Sequence, residues 1–235
     1  MSNHELEVDS VRKYFGQKQI LSDVYLKCVT GEVIGLLGRN GSGKSTLLQI
    51  IFGTLHTVDK FIRIDNKVYQ APFKKGNLIS YLPQKSFLPT GVCIKNIVKI
   101  FLDQKEHQAR VYNDERVKYH LHKTVEELSG GERRYFEILL LLNLPTKFLL
   151  LDEPFSEIEP LYIEKIKKLI SQYQPSKGIV ITDHDYRNIL DVSDRLILLH
   201  DGGCKNINKL EELEDFGYLP IGRIKIDMQS QTTEK

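Results

Sequence analysis

Several residues in this chain have types and spacings suited to phosphate chemistry. Gly38, Arg39, Asn40, Gly41, Ser42, Gly43, Lys44, Ser45 and Thr46 run consecutively and fit the phosphate-loop pattern Gly-x4-Gly-Lys-Ser/Thr. Its glycines permit tight backbone turns, so that successive N–H groups converge on a phosphate at a helix N-terminus. Lys44 would bridge β- and γ-phosphates, and the Ser45 hydroxyl would coordinate Mg²⁺. Asp152 and Glu153 close an apolar run, which puts two carboxylates at the carboxyl edge of a sheet, where open α/β folds bind their ligands. Asp152 is suited to hold a magnesium shell, and Glu153 to orient and deprotonate an attacking water. Ser129, Gly130 and Gly131 precede a helical pattern over 132–142 and form a second helix start with free N–H groups. Alone, Ser-Gly-Gly is an ordinary cap.

The elements that must position these groups follow from the apolar pattern. The run 33–37 is continuously apolar, as in a strand buried on both faces, and it delivers the chain into the glycine loop; a helix over 45–52 follows. Later runs at 78–82, 148–151, 179–182 and 196–199 alternate with helical patterns such as 161–173, with Pro160 as a first helical residue. That alternation predicts a parallel sheet with crossover helices. Alternating apolar positions around Leu6 and Val8, and at Val24, Leu26 and Cys28, predict a small antiparallel sheet near the N-terminus. Between Gln84 and Leu128 the strand signal stops. Ile94, Ile97, Val98 and Phe101 recur at helical spacing and the stretch 103–123 is highly polar, which predicts a short helical insert. From Met228 the chain is a polar tail, expected to fray.

A chain of 235 residues with 41% hydrophobic and 27% charged residues has the composition of a soluble globular protein of one large domain. A net charge of +2 makes no case for nucleic acid as an obligatory partner. Lys165, Lys167 and Lys168 interleave with apolar residues and read as the solvated face of an amphipathic helix. The apolar runs 138–142 and 148–151 are far shorter than the ~20 residues a membrane-crossing helix needs. The polar, acidic N-terminus lacks the pattern of a secretory signal, and a cytosolic protein is expected. Cys28, Cys93 and Cys204 are too few and too scattered for a disulfide framework or a zinc site.

The order GRNGSGKST, YLPQ, LSGGE, FLLLDEP, ITDHD resembles the ATP-binding-cassette (ABC) ATPases over roughly residues 6–203. The resemblance implies an α/β fold of the P-loop NTPase class: a RecA-like parallel sheet core, an N-terminal antiparallel β-subdomain, and an α-helical subdomain inserted at about 85–129. One nucleotide-binding domain would span 1–227, ahead of the tail 228–235. It implies ATP and Mg²⁺ as ligands, Gln84 as the residue that senses Mg²⁺ and the attacking water, and His184 as a contact to the γ-phosphate. Phe15 by alignment, or its neighbour Tyr14, would stack on adenine, although either ring could instead be core. Ser129, Gly130 and Gly131 would reach the ATP held by an opposite subunit, in a homodimer or a heterodimer of cassettes closed around two ATPs. A separate transmembrane permease is the implied partner, with the protein peripheral on the inner face of the membrane.

Two residues depart from the family pattern: Glu132 stands where Gln is commoner, and Glu159 where the following loop usually ends in Asp. The region 184–203 looks most like bacterial cassettes of the lipopolysaccharide-export and branched-chain amino-acid type. The rival reading is a soluble ABC ATPase acting on ribosomes or DNA. Those relatives generally carry paired cassettes, a long coiled coil or zinc-binding cysteines, none of which is present here. A module that binds nucleotide without hydrolysing it is a third reading, and Glu153 argues against it. Phe87, Leu88, Val92 and Ile94 are expected near the junction with the insert, partly in a groove that would receive the permease. His120 and His122 lack a ligand constellation and read as solvated.

Overall fold

The computed structural model describes residues 3–226, so the polar tail from Met228 lies outside the described residues. The chain runs β1 (Glu5–Phe15), β2 (Lys18–Val29), β3 (Val33–Leu37), α1 (Lys44–Phe52), β4 (Phe61–Ile64), β5 (Lys67–Val68) and β6 (Ile79–Leu82). It continues through α2 (Ile94–Phe101), α3 (Lys105–Tyr112), α4 (Gly130–Leu142), β7 (Phe148–Asp152), α5 (Pro160–Tyr173) and β8 (Gly178–Thr182). The last elements are α6 (Tyr186–Leu190), β9 (Arg195–His200), β10 (Gly203–Ile207) and α7 (Glu212–Asp215).

Two sheets form. The first is antiparallel, in the order β2-β1-β4-β5. The second has the order β10-β9-β3-β8-β7-β6. Its strands from β9 to β6 are parallel, as the alternation of runs and helices predicts. β10 departs from that expectation. It folds back on β9 as an antiparallel edge, because the turn at Asp201 and Gly202 is too short for a crossover.

Each central strand is buried on both faces and feeds two cores. Ile34 and Leu36, Phe148 and Leu150, and Val180 face α1 and the first sheet, joining Leu6, Val8, Leu47 and Ile51. Val33 and Leu37, Leu149 and Leu151, and Ile179 and Ile181 face the other way, against α2, α4 and α5. That double burial is the physical reason these runs are unbroken rather than alternating. Gly35 marks the closest approach, since a Cβ there would lie 2.3 Å from Cγ2 of Ile189 on α6.

The segment between β6 and α4 holds α2 and α3 and no strand, joined to the rest through the second core. The expected groove is only half present. Leu88 and Ile94 are buried in that core, because α2 turns its Ile94, Ile97 and Val98 face inward. Phe87 and Val92 are partly exposed, and Ile100 is exposed on the outer side of α2. No helix among the described residues is long and apolar enough to cross a membrane. All three cysteines are free thiols.

Candidate nucleotide site at the carboxyl edge of the sheet

Strands β3, β8, β7 and β6 are neighbours in that order, and each ends in one of the sequence motifs. The glycine loop follows β3, His184 follows β8, Asp152 and Glu153 end β7, and Gln84 follows β6. Parallel pairing puts all four carboxyl ends at one edge, so residues more than a hundred positions apart meet there. Phe15, Asn40, Gly41, Gly43, Lys44, Ser45, Thr46, Gln84, Glu153 and His184 line a cleft of about 360 Å³, together with Ile20.

The loop enters α1 through Gly43 at φ 105°, a left-handed conformation that glycine adopts without strain. Lys44 is buried, and its Nζ donates to the carbonyl of Gly38 at 2.7 Å. Burial draws its pKa below the usual lysine range, while the charges of Glu153, Asp152 and Asp183 oppose that shift. Arg39 and Ser42 instead line an adjoining cavity of about 330 Å³, and the Arg39 guanidinium donates to the Gly217 carbonyl. Phe15 and Tyr14 are both half exposed, so neither is core, and of the two Phe15 lines the cleft.

Asp152 is almost wholly buried, and both its oxygens are occupied. Ser45 donates to Oδ1 at 3.0 Å and the Tyr81 hydroxyl to Oδ2 at 2.9 Å. Burial raises its pKa, and the two hydroxyls and Lys44 pull it back toward the ionised form. Gln84 donates to Ser45 Oγ at 3.2 Å. Hydroxyl, carboxylate and amide oxygens are hard donors, the kind Mg²⁺ takes alongside phosphate oxygens and water. Among the described residues no cluster of three or more His, Cys, Asp or Glu could hold a metal.

Glu153 sits at φ 54°, an uncommon conformation for a residue with a side chain, held by its N–H donating to the Thr182 carbonyl at 2.8 Å. Its carboxylate reaches Nε2 of His184 at 2.8 Å and accepts from Ser156 Oγ at 3.4 Å. Asp183 accepts from the N–H groups of Phe155 and Asp185, at 3.0 and 3.1 Å, tying the loops after β7 and β8 together.

Ser129, Gly130 and Gly131 lie outside this cleft. Ser129 is the N-cap of α4, which begins at Gly130, two residues earlier than the apolar pattern suggests. Glu132 N–H donates to Ser129 Oγ at 3.2 Å, and Ser129 N–H donates to Glu132 Oε2 at 2.9 Å. Glu132 therefore completes a capping box, which the commoner Gln would also close. His120 is not solvated as expected: its Nε2 lies 3.4 Å from Glu132 Oε1 and its Nδ1 is buried. Glu159 packs on Gly131, where an added Cβ would lie 2.5 Å from its Oε2 and 2.4 Å from Cδ2 of Tyr162.

Three supporting residues were missed in the sequence. Tyr81 belongs to a quoted motif, but only the β6 pleat turns its hydroxyl toward Asp152. Asp183 stands beside His184 and drew no role. Arg134, paired with Glu137 on α4 at 3.1 Å, donates to the carbonyls of Pro83 and Gln84 and holds the loop after β6. An i,i+3 charged pair in the otherwise apolar stretch 134–142 was the available signal.

Comparisons with known proteins agree with this geometry. The ABC transporter family model matches residues 21–156. The chain is 30% identical over 226 residues to the lipopolysaccharide export system ATP-binding protein LptB of Acidithiobacillus ferridurans, covering 89% of this chain and 92% of that one. It is 32% identical to LptB of Haemophilus influenzae, covering 84% and 87%. A solved ATP-binding subunit of an ABC transporter superposes with a TM-score of 0.80 at 22% identity, covering 95% of this chain and 98% of the other. With more than half its length matched by the family model, and phosphate loop, paired acids, glutamine and histidine gathered at one sheet edge, the chain belongs to the ABC transporter family as one of its ATP-binding, ATP-hydrolysing subunits.

Proposed function

We propose that this subunit hydrolyses Mg²⁺-bound ATP between two cassettes and drives a separate transmembrane permease. The observation that carries the reading is the contact of Glu153 with His184 at 2.8 Å, in the same cleft as Lys44 and Ser45. In this reading, loop N–H groups and Lys44 grip the β- and γ-phosphates, and Phe15 covers the adenine. Bound Mg²⁺ would supply charge neutralisation on the phosphates. Ser45, Asp152 and Gln84 would hold it. Glu153 accepts a proton from the attacking water, and His184 keeps that carboxylate aimed while facing the γ-phosphate.

Ser129 to Gly131 stand outside their own chain's cleft, which supports a role toward ATP held by a second cassette, identical or related. The Ser129 hydroxyl accepts from Glu132 N–H and so keeps its own proton free for a phosphate oxygen. A domain spanning 1–227 would lie on the cytoplasmic face, bound through the partly exposed Phe87, Val92 and Ile100 near α2. The named relatives point the search for a partner first to permeases of lipopolysaccharide export systems. Family membership favours transport over action on ribosomes or nucleic acid.

The decisive experiment is Glu153→Gln. It should leave nucleotide binding intact, abolish turnover, and shift the protein to a dimer on gel filtration with Mg-ATP. A variant that hydrolyses at the wild-type rate, or remains monomeric with ATP bound, contradicts the reading.

A further inference from the structure

We infer that Tyr81 is a positioning residue for the divalent metal, fixing the Asp152 carboxylate from the strand that also carries Gln84; this rests on the reading of Asp152 as the acid of the metal shell. Tyr81 lies on β6 in register with Leu150, and its ring packs on Phe52 of α1 with centroids 5.4 Å apart. That packing holds the phenol where its hydroxyl meets Asp152 Oδ2 at 2.9 Å. Ser45 takes the other oxygen at 3.0 Å.

A carboxylate with one partner still turns about its last side-chain bond, whose preference is broad. Two hydroxyls arriving from different elements, α1 and β6, define its plane. Asp152 is 1% exposed, so no bulk water is at hand to replace a lost donor.

The geometry also ties two events together. Gln84, three residues beyond Tyr81, donates to the same Ser45 hydroxyl that donates to Asp152. One short stretch, 81–84, therefore touches Ser45 and Asp152, two of the three groups proposed to hold the metal, and carries the third.

The test is Tyr81→Phe in the full chain, which keeps the ring against Phe52 and deletes only the hydroxyl. Calorimetric titration with a non-hydrolysable ATP analogue is run in Mg²⁺ and again in EDTA. A hydrogen bond to a charged group is worth enough that the Mg²⁺-supported dissociation constant should weaken about 10-fold. The constant in EDTA should stay within about two-fold of wild type. Ser45→Ala, which deletes the other hydroxyl, should show the same selective loss. An unchanged Mg²⁺-supported affinity overturns the proposal. An equal loss in both media also overturns it, since the tyrosine would then shape the loop and not the metal acid. A wild-type protein whose affinity is indifferent to Mg²⁺ refutes the metal-shell reading of Asp152 itself, and is recognised before any variant is made.

Discussion

Removing the Glu132 side chain tests what the fifth position of LSGGE does. The capping box has two arms: Ser129 N–H on Glu132 Oε2 at 2.9 Å, and Glu132 N–H on Ser129 Oγ at 3.2 Å. Glu132→Ala keeps the second arm, which uses only backbone of residue 132, and deletes the first. It also removes the acid lying 3.4 Å from His120. The site is partly exposed, so the His120 contact adds little and the cap dominates, at about 1 kcal/mol. For a chain of 235 residues that corresponds to a melting temperature lower by about 2–4 °C. Glu132→Gln keeps an oxygen that can accept from Ser129 and should melt within about 1 °C of wild type. If Ser129 serves ATP on a facing cassette, Glu132→Ala should lower turnover more than it lowers nucleotide affinity measured on monomers. Thermal melts of the three proteins, with ATPase and nucleotide titrations, decide it. The reasoning is refuted if the alanine variant melts with wild type, or if glutamine is as destabilising as alanine.

Three further outcomes are expected. Lys44→Ala deletes the cation of the phosphate loop and should weaken ATP binding about 10–100-fold while turnover falls to background; equal Mg²⁺-dependent ATPase rates in variant and wild type would contradict the loop assignment. Gly35→Ala would force a Cβ to within 2.3 Å of Ile189 Cγ2 and 2.8 Å of Leu196 Cδ2, costing about 1–3 kcal/mol in a denaturant titration and disturbing α6 just beyond His184; a variant of wild-type stability would show that β3 and α6 do not pack this closely. Lys177 is buried with its Nζ on the carbonyls of Leu144 and Thr146, at 2.8 and 2.7 Å, and burial draws its pKa down to about 8 from 10.5. The unfolded chain then binds more protons between those two values, so this group's contribution to stability rises with pH across pH 8 to 10.5, by at most about 3 kcal/mol, and is constant below. The stability difference between wild type and Lys177→Met should follow that rise, and a difference independent of pH would contradict the burial argument.

What the sequence determined by itself is what short-range physics governs. The loop 38–46 was legible because a glycine-rich turn between a buried strand and a helix is a local construction. The acids 152–153 were legible because a continuous apolar run signals a strand covered on both faces. β3 lies where its run of five apolar residues puts it, and Pro160 opens α5 as its ring geometry requires. The tertiary structure decided which of these pieces meet. Only the strand order β3-β8-β7-β6 brings Ser45, His184, Glu153 and Gln84 into one cleft, and that order is set by burial across two cores, a property no window of residues contains. The same long-range packing chose Phe15 over Tyr14 for the cleft, buried Leu88 and Ile94, drew His120 onto Glu132, and turned the Tyr81 hydroxyl to Asp152. A side chain's neighbours across a sheet or between helices depend on register and twist accumulated over the whole chain, whereas a turn or a cap depends on a handful of adjacent backbone angles.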